Sequence, residues 1–212
     1  VTGAAWVLLA VTGALAVGNW VAVEARSRVG EYVTKPATMV ALVGVALALD
    51  PVDGTARAWF VAALVASLAG DVLLMLPSDR FVAGLGSFLV AHLLYVPGLA
   101  ALGLEPLGLG LGAVVVAVAL TTVGRRVVAG ARANRPRLAG PVTVYLVVIS
   151  AMVVAAWGTL VPLALGGATL FYASDAMIGV REFLRPFPRQ RVAIMSTYHL
   201  GQAGLVLALV TA

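Results

Sequence analysis

Four ionisable side chains stand inside long apolar stretches of this sequence: Asp71, His92, Asp175 and His199. Placing one such group at the centre of a bilayer costs about 2.5–3.5 kcal/mol on insertion scales, so each is a candidate for function. The same stretches carry further polar tips at Asn19, Ser67, Tyr95, Tyr145, Tyr172, Ser174, Tyr198 and Gln202. Buried carboxyls can relay protons or ions, or divide acid and base work between them. Each group also has a structural reading. An acid can pair with a Lys or Tyr of a neighbouring helix, and a histidine can serve as hydrogen-bonding glue.

The elements that must position these groups follow from composition. The chain has 212 residues, of which 62% are hydrophobic and 11% charged. An ordinary soluble domain has roughly 45–50% apolar and about 25% charged residues. So few charges cannot cover a soluble surface, which excludes a water-soluble enzyme, a nucleic-acid-binding domain and a disordered segment. The net charge of +5 then reports membrane orientation, because Lys and Arg collect on the cytoplasmic side. With no cysteine in the chain, disulfides, thiolate metal sites and a cysteine nucleophile are excluded.

A helix needs about 20 apolar residues to cross the hydrocarbon core. Eight stretches qualify: Ala4–Val23, Pro36–Leu49, Ala58–Leu76, Phe81–Leu102, Leu107–Val123, Pro141–Trp157, Leu160–Gly179 and Val192–Val210. The second is the shortest, with 14 residues. The first has no basic leader and is followed by Glu24, Arg26 and Arg28, so it reads as a span and not as a cleaved signal. None alternates apolar and polar residues as barrel strands do. The expected fold is all-α: a single transmembrane domain over residues 1–212, built as a bundle of eight helices. Arg26, Arg28, Lys35, Arg80, Arg125, Arg126, Arg132, Arg135, Arg137, Arg181, Arg185, Arg189 and Arg191 all fall in connections on one side, and Arg57 alone on the other. The basic side is cytoplasmic, which puts both termini on the non-cytoplasmic side.

Asp71 lies six residues before Pro77, and Asp175 six before Arg181. If those residues end their helices, each acid sits roughly 9 Å below the cytoplasmic end, so two acids at one depth converge. Asp71 and Asp175 are 104 residues apart, His92 and His199 are 107 apart, and four helices per half would make parallel repeats. His92 shares a helix face with Tyr95, and Tyr198 with Gln202. Lys35 precedes Pro36, which suits the first turn of helix two. It either snorkels to the surface or meets a lipid phosphate as a point charge. The arginines from 125 to 137 read as orientation and anionic-lipid contact. The many Gly and Ala read as helix-packing residues. No zinc set is evident, since the histidines read as nearer mid-membrane than the acids. There is no HExxH and no Gly-rich nucleotide loop, and Ser67 and Ser174 lack a nucleophile-elbow setting.

Taken together these segments resemble the YhhN-like membrane proteins, which include the lysoplasmalogenases. The resemblance covers nearly the whole chain. It rests on Lys35-Pro36, then Gly70-Asp71-Val72-Leu73-Leu74-Met75, then Phe88-Leu89-Val90-Ala91-His92-Leu93-Leu94-Tyr95. It continues through Gly167-Ala168, Tyr172-Ala173-Ser174-Asp175-Ala176 and Thr197-Tyr198-His199-Leu200-Gly201-Gln202. Family members have eight spans, and some cleave the vinyl ether of lysoplasmalogens to a fatty aldehyde and a glycerophospho-ethanolamine or -choline. The resemblance implies that Asp71 and Asp175 are paired catalytic acids. That reaction needs one protonated acid to deliver a proton to carbon and one ionised acid to stabilise the cation and orient water, the division seen in glycoside hydrolysis. No metal or organic cofactor is required. The candidate substrate contacts are Lys35, Tyr95, Tyr172, Tyr198, His92, His199, Gln202 and Asn19, with Lys35 at the headgroup phosphate. The expected partners are a lysophospholipid substrate and membrane lipids, with no nucleic acid.

Rival readings stay open at the level of sequence. An ion-coupled transporter also uses buried acids in related halves, though neither Asp-bearing span has a Pro near its middle, Pro162 standing at the start of the second. An intramembrane aspartyl protease would need Gly-x-Gly-Asp where positions 68–71 read Leu-Ala-Gly-Asp. A non-catalytic lipid-binding protein would use the acids only for pairing. The Ala/Val/Gly/Arg-rich composition points to a GC-rich bacterial genome, and hence to a plasma membrane as the site of residence.

Overall fold

Within hydrocarbon a backbone must satisfy its own polar groups, and a single chain segment does so as a helix. A computed structural model describes residues 2–76 and 80–211, and among the described residues all regular structure is helical. The helices are α1 (Gly3–Glu24), α2 (Arg28–Ala48), α3 (Gly54–Met75), α4 (Phe81–Ala101), α5 (Pro106–Asn134), α6 (Pro136–Gly158), α7 (Pro162–Phe183) and α8 (Gln190–Ala208). Their starts are written in local chemistry. Thr2, Ser27 and Asp53 each accept a hydrogen bond from the N–H three residues on, occupying a donor that no helical turn can reach. Pro106, Pro136 and Pro162 open α5, α6 and α7, where the missing N–H costs nothing.

Six of these helices, α1 and α3 to α7, are long and apolar enough to cross a membrane. The other two carry the polar load: Arg28, Glu31 and Lys35 on α2, and Gln190, Arg191, His199 and Gln202 on α8. They can do so because much of their surface faces protein. Met39, Leu42 and Val45 of α2 and Leu205 and Val206 of α8 are almost fully buried. On the outer helices the apolar side chains point outward: Trp6, Val7, Val11 and Val21 of α1 and Val144 and Val147 of α6 are exposed.

The principal pairings are α1 with α2, α3 with α4, α5 with α6 and α7 with α8, joined by α2–α3, α6–α7, α4–α6, α1–α8 and α2–α8 contacts. Glycines set the closest approaches. A Cβ on Gly70 would stand 2.8 Å from the Phe88 ring, and one on Gly167 would stand 2.7 Å from the backbone nitrogen of Leu205.

Several sequence expectations change. Helix two starts at Arg28, not Pro36, because Ser27 caps it; Pro36 lies inside α2 and Lys35 is helical. Arg125, Arg126 and Arg132 are not in a loop. α5 runs on through a π-helical turn at Leu120–Gly124 to Asn134, its extension seated by Val127 and Ala131 against Phe183. The helix-end count that matched the two acids in depth also fails. Asp71 is four residues from the end of α3 and Asp175 eight from the end of α7. Leu76, at φ −62° and ψ 144°, is already extended, as the residue before a proline prefers. Pro77 itself lies outside the described residues.

Gly167 and Gly166 provide a matched pair for testing the α7–α8 contact, since a Cβ at Gly166 meets nothing within 4 Å. Gly167→Val should lower stability by about 1–3 kcal/mol, the usual cost of overpacking. Gly166→Val should be close to neutral. Thermal unfolding of both variants in detergent checks this, and equal shifts would contradict the packing.

Candidate functional site

Asp71 is held at a three-helix junction. Its Oδ1 lies 3.0 Å from the Lys35 ammonium of α2. Its Oδ2 accepts a 2.8 Å hydrogen bond from the Tyr198 hydroxyl of α8. The carboxylate is 1% exposed and the lysine 14%, so this is a buried, hydrogen-bonded ion pair. The lysine therefore neither snorkels to the surface nor points free toward a phosphate.

Asp175 has a different environment. Its Oδ2 accepts a 2.5 Å hydrogen bond from the Tyr145 hydroxyl of α6. His92 Nε2 of α4 stands 3.7 Å from the same oxygen, beyond hydrogen-bonding range. Among the described residues no Lys or Arg pairs with it. His92 thus sits at the level of Asp175, not deeper as expected, and it comes from the opposite half of the chain. Among the described residues no three His or carboxylate side chains gather as a metal would need.

An aromatic cluster separates the two acids. The His92 ring centre lies 4.8 Å from that of Phe171 and 5.3 Å from that of Tyr145. Phe171 packs on Tyr198 at 5.4 Å, and Phe88 touches both of these rings. Across it the acids remain near enough for their charges to interact.

The remaining candidates fall into three groups. Tyr95 donates to Gln202 Oε1 at 2.5 Å, and Gln202 Nε2 donates to Ser67 Oγ at 3.0 Å. Ser67 is one turn from Asp71 and Gln202 one turn from Tyr198, so the α3–α8 seam carries two polar rungs. Tyr172 lies 3.4 Å from Ser150 and lines a cavity that reaches Asp175. His199 and Asn19 do not bond to either acid. His199 Nδ1 accepts from Trp20 of α1 at 3.1 Å, and Asn19 donates to Thr34 of α2 at 3.0 Å; both tie α1 to its neighbours. Tyr145 was not among the expected site residues. It is the one tyrosine of α6, where Thr143 and Ser150 also carry hydroxyls, and its only sequence signal is a polar tip among valines and leucines.

Two cavities meet here. A narrow apolar one, about 60 Å³, reaches Asp175 between α3, α4, α6, α7 and the π turn of α5, with Phe88, Val123, Gly124 and Val127 in its walls. A polar one, about 280 Å³, holds Arg28, Glu31, Lys35, Arg181 and Arg191. Leu74 and Ile178 line both.

Comparison with known proteins adds relatives to this geometry. The model of the YhhN family matches residues 30–209. The lysoplasmalogenase of Mycobacterium tuberculosis is 39% identical over 153 residues, covering 70% of this chain and 58% of that protein. Lysoplasmalogenase TMEM86B of Sus scrofa is 32% identical over 194 residues, covering 89% and 79% respectively. The Homo sapiens TMEM86B is 33% identical over 148 residues, covering 69% and 61%. This chain thus spans 58% of the length of its mycobacterial relative. No solved structure matches it.

The Lys35–Asp71 pair makes a stability prediction independent of any activity. Removing one partner of a buried pair typically costs about 3–5 kcal/mol. Lys35→Met should therefore destabilise strongly, and Lys35→Met with Asp71→Asn should recover part of the loss. A double-mutant cycle on unfolding in detergent measures the coupling. Additive effects would mean that the pair contributes nothing.

Proposed function

Because this chain belongs to the YhhN family, we propose that it is an intramembrane hydrolase cleaving the vinyl ether bond of lysoplasmalogens. The observation that carries this reading is the unequal surroundings of two neighbouring acids at the meeting of an apolar and a polar cavity. Such a junction suits an amphiphile. The alkenyl chain enters beside Asp175, the headgroup occupies the polar side, and the vinyl ether lies between them, near Leu74 and Ile178.

The acids divide the work. Asp71 faces the Lys35 ammonium at 3.0 Å, which favours its ionised form. Asp175 has a tyrosine hydroxyl and an uncharged ring beside it, and is the acid that holds a proton. Asp175 delivers that proton to the chain-side vinyl carbon, leaving an oxocarbenium ion on the ether-bearing carbon. Asp71 stabilises the cation, orients a water and takes a proton from it as the oxygen adds to that carbon. The hemiacetal then breaks its bond to the glycerol oxygen, which leaves as the alcohol with the proton held by Asp71, while the hydroxyl proton passes to Asp175 as the aldehyde forms. One water is consumed, and a fatty aldehyde and a glycerophospho alcohol leave. Tyr145 and Tyr198 position the two carboxyls. Lys35 acts through Asp71 and not as the phosphate ligand.

The finer architecture belongs to the same proposal. The chain forms one domain of eight spans, α2 and α8 included, in a bacterial plasma membrane with both termini outside. Two pairings of neighbouring helices fall in each half, α1–α2 and α3–α4 in the first and α5–α6 and α7–α8 in the second, in support of two parallel four-helix repeats. Tyr95 and Gln202, which bond to each other, are 107 residues apart, the same offset as His92 and His199.

The test is aldehyde release from lysoplasmenyl lipid by protein in detergent or vesicles. Per folded molecule, Asp71→Asn and Asp175→Asn should each lower the rate by about 10²–10⁴-fold, the range for losing an acid or base; Asp71→Asn should also lower the folded yield, because it leaves Lys35 unpaired. Full activity in both variants would remove the acids from the mechanism. An inactive parent protein would remove the substrate.

A further inference from the structure

The polar cavity holds more positive charge than the proposed acid chemistry uses. Four cations line it, against the single carboxylate of Glu31. Lys35 is committed to Asp71. Arg191 of α8 is clamped through one terminal nitrogen by both oxygens of Glu31, at 2.8 and 2.6 Å. Arg181 of α7 is held by Glu182 at 3.0 Å through its Nε and one terminal nitrogen. Arg28, on the first turn of α2, makes no ion pair with any described residue. A guanidinium has five N–H donors, so Arg181 and Arg191 each keep free donors although their orientation is set. The rim is fixed as well, since the Tyr32 hydroxyl donates to the Met75 carbonyl at the end of α3, at 2.8 Å.

We propose that this cavity is a phosphodiester subsite, with Arg28 and Arg181 as direct ligands and Arg191, held by Glu31, as a third donor. The inference deepens the reading of the chain as a lysoplasmalogen hydrolase and rests on it for the identity of the lipid. Three lines of geometry carry it. The cavity's unmatched charge is positive. Its donors are guanidinium forks, which match phosphate oxygens in pairs. It adjoins the apolar slot, with Leu74 and Ile178 lining both, which places the two side by side for a single molecule with a phosphate at one end and a hydrocarbon chain at the other. Restraint of two of the three arginines before binding lowers the ordering cost of recognition. The phosphate specifies where the headgroup stops, and thereby which bond of the lipid lies between Asp71 and Asp175.

The subsite can be tested without turnover. The probes are a 1-alkyl lysophosphatidylethanolamine, whose saturated ether is not cleaved, the matching 1-alkylglycerol without phosphate, and inorganic phosphate. Calorimetric titration of the full chain in detergent should show the phospholipid binding at least about tenfold more tightly than the alkylglycerol. Arg28→Gln and Arg181→Gln should each weaken phospholipid binding by about tenfold, the loss expected for a charge-assisted hydrogen bond. Both should leave alkylglycerol binding unchanged, which also reports that they are folded. Arg28→Lys should recover only part, because it restores charge without the fork. Competition by inorganic phosphate would support the subsite with the free ion as a second ligand, and its failure to compete would support the lipid headgroup. Equal affinity of the parent for the two lipids, or parental phospholipid binding by both glutamine variants, would overturn the proposal. An inactive protein that still shows the arginine-dependent difference would leave the subsite standing and refute only the hydrolase reading.

Discussion

The buried pair of Lys35 and Asp71 is the constraint on which the rest of the arrangement depends. A carboxylate with almost no access to solvent must find its compensation inside the protein, and Asp71 finds it on two other helices: an ammonium from α2 and a hydroxyl from α8. That requirement holds together the two helices least suited to lipid. α2 and α8 carry charged and amide groups that a lipid-facing helix could not, and their interior position is what makes these groups tolerable. The second rung, from Ser67 to Gln202 to Tyr95, repeats the device one turn away with neutral groups.

From that anchor follows the asymmetry of the acids. Both carboxyls are hydrogen-bonded to a tyrosine, and both border the same cluster of rings. Among the described residues only Asp71 has a lysine or arginine in contact. The Phe88, His92, Phe171 and Tyr198 rings pack against one another between the acids, and among buried rings a nearby charge acts more strongly than it would in solvent. Two groups of the same type thus acquire different chemical characters from their neighbours, which is how paired carboxyls come to divide acid and base roles elsewhere. The cavities repeat the asymmetry on a larger scale, with hydrocarbon on the Asp175 side and arginines on the Lys35 side.

Much of the fold was legible in the sequence, for plain reasons. Among the described residues the eight apolar runs lie on eight helices, six of them long and apolar enough to cross a membrane, as a backbone in hydrocarbon has few alternatives. Asp71 and Asp175 stood out because an acid in such a run is costly. Boundaries were less legible. Apolar content marks where a helix crosses lipid, not where helical hydrogen bonding stops. α2 therefore starts eight residues before its apolar run, and α5 continues ten residues past Gly124. The matched depth of the two acids rested on helix ends, and the counts from those ends differ; the surroundings of each acid are set by its cross-helix partners and not by its distance from an end.

The residue types therefore determined that this chain is an α-helical membrane protein, which side chains are too polar for their surroundings, and to which family it belongs. Those are properties of composition, local periodicity and segment order, and each is carried by residues close together in the chain. Only the tertiary structure decided that Lys35 is spent on Asp71, that Tyr145 and not a neighbour in sequence attends Asp175, that His92 crosses to the acid of the other half, and that Asn19 and His199 brace α1. Such pairings join residues many positions apart, from 15 between Asn19 and Thr34 to 179 between Trp20 and His199. They depend on the rotation and contact of whole helices, which an apolar pattern that is nearly uniform around each helix leaves unspecified.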